Sequence, residues 1–485
     1  MKIKKTFISA VLAVAMAAAC FTGCKSENEA DKYVVGGTPD YSSATGVIVL
    51  DSWRIPGCTE EAFKTYAECG YNMVHLVNEN VFTENTAAST VKLNETLDKY
   101  FTLAEKYGIK VIMCTAAHSL QQSTATPFQY VYERHKDVLE KWRDSDTFYG
   151  YDSFDEPPFV GGLNGGDSAD AKKYQISYEE MGDYFRDDYV YFSNLFPNKK
   201  FEVVLLRAPN EGDKMSFSSR FDTYEKYLEY YAENVLSYMP LKDRVMMMDA
   251  YPYGIKNNDL WLRECFISSL ETMSFVAEKY GAEKWTCTQN HELITNTASV
   301  LYQYYTALAY GYTHFNTYTY GATPVSWGYD QSSIGIDGKK TDNYYYYQAA
   351  HEEIKSFENV YREFTDGWQG VIAVDGQEST AFSKPWFKAE KMLGGYYRIK
   401  SVSATEDTII GVMRDKSGYD GFMIVNQTLP SGNVKDKVSI TFERAKKAIV
   451  YKDGKPAQTV DLENGKLELT LKTGGGAFVI PLVGD

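Results

Sequence analysis

The chain is short of the residues that build stapled or metal-centred domains. Seven cysteines are spread over 485 residues, at positions 20, 24, 58, 69, 114, 265 and 287. None forms a CxxC pair, which argues against a structural zinc knuckle, and their wide spacing is not a disulfide framework. Only six histidines occur. No HxH pair marks the first strand, which argues against an amidohydrolase metal centre. His291-Glu292 begins like a zincin helix, but Thr295 stands where the second histidine would be. A GxSxG elbow and a GxxxxGKS or GxxxxGKT phosphate loop are both missing, against serine hydrolases and P-loop enzymes. No metal and no cofactor is therefore expected. Basic clusters are missing too, and with a net charge of −15 the chain is a poor partner for nucleic acid.

Long apolar runs are equally scarce. One stretches from Phe7 to Cys20, behind Lys2, Lys4 and Lys5, and is followed by Phe21-Thr22-Gly23-Cys24. A basic start, a short apolar stretch and small residues before the cut describe an export signal, too short for a membrane span of about 20 residues. Gly23-Cys24 resembles the bacterial lipobox, which implies lipid on Cys24 and a protein anchored to a membrane at the cell surface. Residues 1–24 are thus expected to be the signal and residues 25–45 a polar tether.

What the chain has in abundance is aromatics, 15 % of all residues with 40 tyrosines, and a strict alternation of short apolar strands with long helices. Strands are expected at Gly46–Asp51, Met73–Leu76, Lys110–Cys114, Phe148–Phe154, Phe201–Leu206, Val245–Met248, Trp285–Thr288 and Phe315–Tyr318. Helices follow at Glu60–Cys69, Asn94–Tyr107, Val131–Trp142, Tyr178–Phe196, Thr223–Met239, near Leu260–Tyr280, Ala298–Tyr310 and Tyr344–Tyr361. Eight such units predict an α/β fold, a closed (β/α)8 barrel over residues 46–365. After Asp366 the texture changes to period-2 segments separated by tight turns, such as Gly421–Asn426 and Leu467–Leu471. That predicts an antiparallel β-sandwich over residues 366–485.

A barrel gathers the loops after its strands on one face, and chemistry belongs there. The residues expected on that face are rich in carboxylates and aromatics. Strand four ends in Asp155-Glu156-Pro157. Proline locks its own φ and pushes the preceding residue extended, which fixes Glu156. In extended geometry Asp152 and Glu156 share one face and Asp155 takes the other, as an orienting neighbour. Asp249 closes strand six, and Glu292 follows strand seven. Trp53, His118, Asp152, Arg207, Tyr251, Gln289, Tyr318 and Trp327 are the expected substrate contacts. Tyr and Trp pair an apolar face with a polar tip, as sugars do. Glycosidic cleavage needs one protonated carboxyl and a second carboxylate, and this face supplies both.

The order of elements, the Asp155-Glu156-Pro157 strand end and the C-terminal β domain resemble the TIM-barrel glycoside hydrolases of the large clan that contains β-galactosidases. Ile336–Tyr344 and Gly421–Asn426 resemble segments of the same relatives. In that clan the fourth strand ends Asn-Glu-Pro, and the resemblance implies Glu156 as acid/base. It also implies a nucleophilic Glu at the end of strand seven, where this chain has Gln289. The second carboxylate therefore stays open between Glu292 and Asp249, with Asp152 and substrate assistance as further options. The expected function is hydrolysis of an extracellular oligo- or polysaccharide. The alternative is a surface glycan-binding lipoprotein that keeps the barrel without catalysis.

Overall fold

The structure, a computed structural model, describes residues 36–54, 56–76, 87–114, 124–125, 127–159, 164–165, 180–210, 220–323, 328–377 and 399–483. Cys24, His118 and Trp327 lie outside the described residues.

Eight strands form one parallel sheet: β1 (Val49–Ser52), β2 (Met73–Leu76), β3 (Lys110–Cys114), β4 (Phe148–Asp155), β5 (Lys200–Leu206), β6 (Val245–Asp249), β7 (Glu283–Gln289) and β8 (His314–Tyr318). Each pairs with its neighbour in chain order, and β8 returns to β1. The remaining seam, between β1 and β2, is stitched by Asn72. Its backbone N–H donates to the Leu50 carbonyl at 3.0 Å. Its side chain donates to the Ile48 carbonyl at 2.9 Å and accepts from the Leu50 N–H at 2.8 Å. The fold is a (β/α)8 barrel.

Helices α1 (Glu60–Glu68), α2 (Ala87–Lys106), α3 (Phe128–Trp142), α4 (Met181–Leu195), α5 (Tyr224–Asn234), α6 (Glu264–Tyr280), α7 (Thr297–Ala309) and α8 (Asp342–Lys355) surround it. Their starts follow capping chemistry: Thr59, Thr223 and Asn296 accept from the N–H groups of Ala62, Lys226 and Ser299. Gly281 closes α6 with φ +66°, where a side chain would be strained. Three expectations are corrected. The sixth helix begins at Glu264, because Tyr253–Lys256 and Asp259–Leu262 pair as a β-hairpin. Asn257 and Asn258 both have positive φ, the requirement of a two-residue hairpin turn. The fifth helix stops at Asn234 and gives way to a 3-10 turn at Leu236–Tyr238. The last helix breaks after Lys355, and a short one follows at Glu358–Arg362.

The C-terminal strands are β9 (Trp368–Val374), β10 (Ile399–Ala404), β11 (Thr408–Arg414), β12 (Asp420–Asn426), β13 (Asp436–Phe442), β14 (Ala445–Lys452), β15 (Gln458–Asp461), β16 (Lys466–Leu471) and β17 (Gly476–Val483). They make a six-stranded sheet ordered β9-β11-β12-β17-β14-β15 and a three-stranded sheet ordered β10-β13-β16. Ile410, Phe422, Ile424, Val438, Ile440 and Val479 fill the space between them. The outer face of the larger sheet presses on α7. That explains why α7 is apolar almost all round, with every residue from Ser299 to Ala309 buried. Trp368 donates from Nε1 to the Ala309 carbonyl at 3.0 Å, and Met423, Val425 and Phe478 belong to the same apolar cluster as the barrel helices.

Candidate active site

The mouth is built on the carboxyl ends of the strands. β4 reaches it irregularly. Its pairing with β5 shifts register between Asp152 and Asp155, so the alternation of faces is broken there. Asp152 is fully buried inside the barrel, where it accepts from the Cys114 thiol at 3.1 Å and from the Phe154 N–H at 3.2 Å. It is therefore not a mouth residue sharing a face with Glu156. Asp155 turns inward as well, since its charge acts on Asp152, Cys287 and Glu156. The bulge adds residues that a strict two-residue period leaves out.

Glu156 also departs from expectation in its backbone. It has φ +52°, the left-handed region, rather than the extended conformation that a following proline favours. Such a residue persists where its surroundings over-determine it. Here the Glu156 N–H donates to the Val204 carbonyl at 2.7 Å, and the Pro157 carbonyl accepts from the Tyr227 hydroxyl at 2.8 Å. The turn brings the Glu156 carboxyl toward Asp249, the last residue of β6, close enough that each shifts the other's protonation. Burial, then the charges of Asp249 and Asp155, push Glu156 well above the usual carboxylate range, against a lowering pull from Arg207. Asp249 is pushed up by burial and pulled back by Tyr251, His291, Glu156 and Arg207. We assign the shared proton to Glu156, because the Tyr251 hydroxyl and the charges of His291 and Arg207 favour the Asp249 anion.

Glu292 lies on the β7 side of the mouth and behaves in the opposite way. His291 and Arg263 hold it below the usual range, with Oε1 at 3.6 Å from His291 Nε2 and 3.4 Å from Arg263 Nη2. Tyr329 joins the two sides, since its hydroxyl feels the charges of Glu292, Asp249 and Glu156 together. Gln289, at the end of β7, is fully buried. Its amide accepts from the Tyr253 N–H at 3.0 Å and donates to the Glu292 carbonyl at 3.2 Å. It therefore braces the loop that carries Glu292, and those bonds occupy the atoms a substrate would need.

The aromatic surround is layered. Tyr318 is half-buried and packs edge-on to His291 with centroids 5.3 Å apart, and beside Tyr251 at 6.2 Å. His291 contacts Tyr329 at 4.5 Å and donates from Nδ1 to the Tyr318 carbonyl at 3.1 Å. Trp53 lies lower. It is 9 % exposed and stacks on His75 at 5.7 Å, so it forms the floor under Tyr318 rather than a free wall. Arg207 follows β5, donates to the Ala208 carbonyl at 2.9 Å and reaches both Glu156 and Asp249 electrostatically. His291 is expected on this face with the other residues after β7, whereas Tyr329 is a contributor that the strand-end reading does not single out.

No family model matches the chain, and no curated protein matches it. Solved structures do. A GH30 endoxylanase from Clostridium papyrosolvens C71 is 10 % identical, with 90 % of this chain and 98 % of that chain covered and a TM-score of 0.42. A structure described as a glycoside hydrolase is 11 % identical, covering 90 % and 93 %, with a TM-score of 0.47. An endo-beta-1,4-mannanase from Thermotoga petrophila is 11 % identical, covering 88 % and 98 %, with a TM-score of 0.38. At these values nothing about the chemistry of this chain follows from them, and the functional reading stands on its own site.

Proposed function

We propose that the protein is a glycoside hydrolase acting on a carbohydrate outside the cell, with Glu156 as the proton donor. One observation carries the reading. Two carboxyls at one mouth are displaced in opposite directions, Glu156 kept protonated by burial and Asp249, Glu292 kept ionised by His291 and Arg263. Environments that separate two titratable groups in this way assign acid and base. Glu156 protonates the leaving oxygen of the glycosidic bond. Glu292 attacks, or activates the water that attacks, and Asp249 holds the proton on Glu156 before transfer. Among the described residues Asp249 Oδ1 has no hydrogen-bond partner, which suits an incoming sugar hydroxyl. Tyr251, Tyr318 and Tyr329 offer ring faces and hydroxyls to the sugar.

A second reading is favoured by the closeness of Glu156 to Asp249. Their protonation is mutual, as in two carboxyls sharing one proton rather than an acid and a separate nucleophile. If Asp249 were the only working partner, the site would bind glycans without cutting them, or rely on a group of the substrate itself. The test is a panel of nitrophenyl glycosides together with plant and mucin glycans. Turnover that falls about 10²–10⁴-fold in Glu156→Gln for poor leaving groups, and much less for activated aryl groups, supports the acid. Glycan binding without turnover on any member of the panel supports the second reading.

Export with a lipid on Cys24 is part of the same proposal and rests on the signal-like residues 1–24. Among the described residues no helix is long and apolar enough to cross a membrane. Cys24→Ser should move the protein from the membrane fraction to the soluble one. A wild-type chain without lipid by mass spectrometry would remove the anchor from the proposal.

A further inference from the structure

Below the mouth, the barrel interior is not the branched apolar filling usual for this fold. Asp51, His75, Asp152, Glu202, His314 and Asn316 are all buried, none more than 1 % exposed. Three carboxylates therefore share a space closed above by Trp53 and beside it by Met73, Ile112, Val204, Met247 and Trp285. Burying charges in such surroundings requires compensation close at hand.

The arrangement has the chemistry of a metal centre. A ring nitrogen of His75 and carboxylate oxygens of Asp152 and Glu202 lie within 4.8 Å of one another. They come from β2, β4 and β5, so no short sequence motif could announce them. His75 is oriented as metal-bound histidines are: Nδ1 is bonded to Asp51, which leaves Nε2 facing Glu202 at 2.5 Å. Asp51 is anchored in turn by His314 Nε2 at 3.1 Å, Asn316 Nδ2 at 2.9 Å and the Ser52 N–H at 2.6 Å. Glu202 Oε2 is buried with no hydrogen-bond partner, although the residue is only 1 % exposed. Such an atom asks for a donor or a cation. The Cys114 sulfur lies 3.1 Å from Asp152 Oδ2, close enough to complete a set of four.

We propose that His75, Asp152 and Glu202, with Cys114 as fourth donor, hold one zinc-like divalent cation inside the barrel, and that Asp51 orients His75 for it. One nitrogen, two oxygens and one sulfur form a borderline set that suits zinc better than calcium or magnesium. Bonds of about 2.0–2.3 Å set tetrahedral donors roughly 3.3–3.8 Å apart, so the cation replaces the His75–Glu202 hydrogen bond and parts those two groups from their 2.5 Å contact. The site is closed to solvent on every side, so the cation is taken up during folding and its role is structural. It ties β2 and β5 to β4, the strand that carries Asp155 and Glu156. This inference does not depend on the reading of the mouth.

The competing state is metal-free, with His75 as an imidazolium held between Asp51 and Glu202. Metal content and refolding separate the two. The full chain, washed with EDTA and passed through a sizing column, should retain about one zinc per molecule by plasma mass spectrometry. Refolding from guanidinium with EDTA should give a lower Tm than refolding with Zn2+, and Ca2+ should not replace Zn2+. Glu202→Gln still accepts a hydrogen bond from His75, so it should fold, but without zinc and with a Tm indifferent to Zn2+. Zinc far below one equivalent together with a Tm indifferent to Zn2+ in the wild type would overturn the proposal. So would Glu202→Gln retaining the same stoichiometry, which would place the metal elsewhere.

Discussion

The carboxyls of Glu156 and Asp249 act on each other's protonation across the barrel mouth, one from a left-handed turn after β4 and one from the end of β6. Neither strand end would do this alone. The bulge in β4 and the positive φ at Glu156 swing its side chain over to its neighbour two strands away. Their placement makes the Glu156 proton depend on Asp249, and that dependence can be measured.

Asp249→Asn removes the charge that, after burial itself, does most to raise Glu156. An acid with a raised pKa works below that pKa and fails as pH rises through it. The alkaline limb of the activity profile should therefore move to lower pH in Asp249→Asn. The same profile in the wild type should fall on its acidic side only below the usual carboxylate range, because Glu292 is held low by His291 and Arg263. An alkaline limb that stays in place would show that Asp249 does not control the proton.

Glu292→Gln tests the opposite role. It keeps the size and the contacts to Arg263 and His291 but cannot ionise. Turnover should drop about 10²–10⁴-fold on activated and unactivated substrates alike, since both need the base. Glu156→Gln should instead discriminate between them. Identical leaving-group dependence in the two variants would rule out this division of labour.

Stability should depend on pH through Asp188. This buried residue accepts from the Ser153 hydroxyl at 2.7 Å and from the Phe128 N–H at 2.6 Å, tying the start of α3 to β4. Burial pushes it up to about 7, well above the usual carboxylate range, against lowering pulls from Ser153 and Phe128. A carboxyl raised in the folded state contributes fully below about 3.8 and loses that contribution as pH rises through about 7. Thermal unfolding followed at pH 5 and pH 8 should show the wild type losing more stability than Asp188→Asn over that interval. Parallel curves for the two proteins would place the ionisation elsewhere.

Much of this architecture is legible in the amino-acid sequence. Short apolar strands alternating with long helices define a barrel, because each period reports which faces are buried. The site was less accessible for reasons of geometry. Asp152 and Glu156 are four positions apart, and only the unannounced bulge separates the interior from the mouth. Gln289 ends β7 as expected, yet its partners Tyr253 and Glu292 belong to loops whose approach no local pattern encodes. His75 and Glu202 carried a signal that strand-end reasoning passes over: each is a lone polar residue inside an apolar strand, which in a barrel means inward-facing and paired. The Tyr253–Leu262 hairpin was hidden by the apolar run of α6, which continues its pattern without a break.

The junction between barrel and sandwich offers a last test, because it rests on close backbone approach. Gly411, in β11, faces the end of α7. A Cβ placed there would stand 2.1 Å from the Ala309 carbonyl oxygen and 2.7 Å from two further backbone atoms of that residue. Neither the helix nor the sheet can give way easily, since Trp368 is hydrogen-bonded to the same carbonyl from β9. Gly411→Val must push the sheet away from α7, opening the cluster of Met423, Val425 and Phe478 that both parts share. Overpacking of this kind costs about 1–3 kcal/mol. Because the apolar cluster is continuous across the junction, the wild type should unfold in one cooperative transition by calorimetry. Gly411→Val should lower that transition and split it, with the sandwich separating first. A variant as stable as the wild type, with a single transition, would mean that the two parts are not packed through α7 in this way.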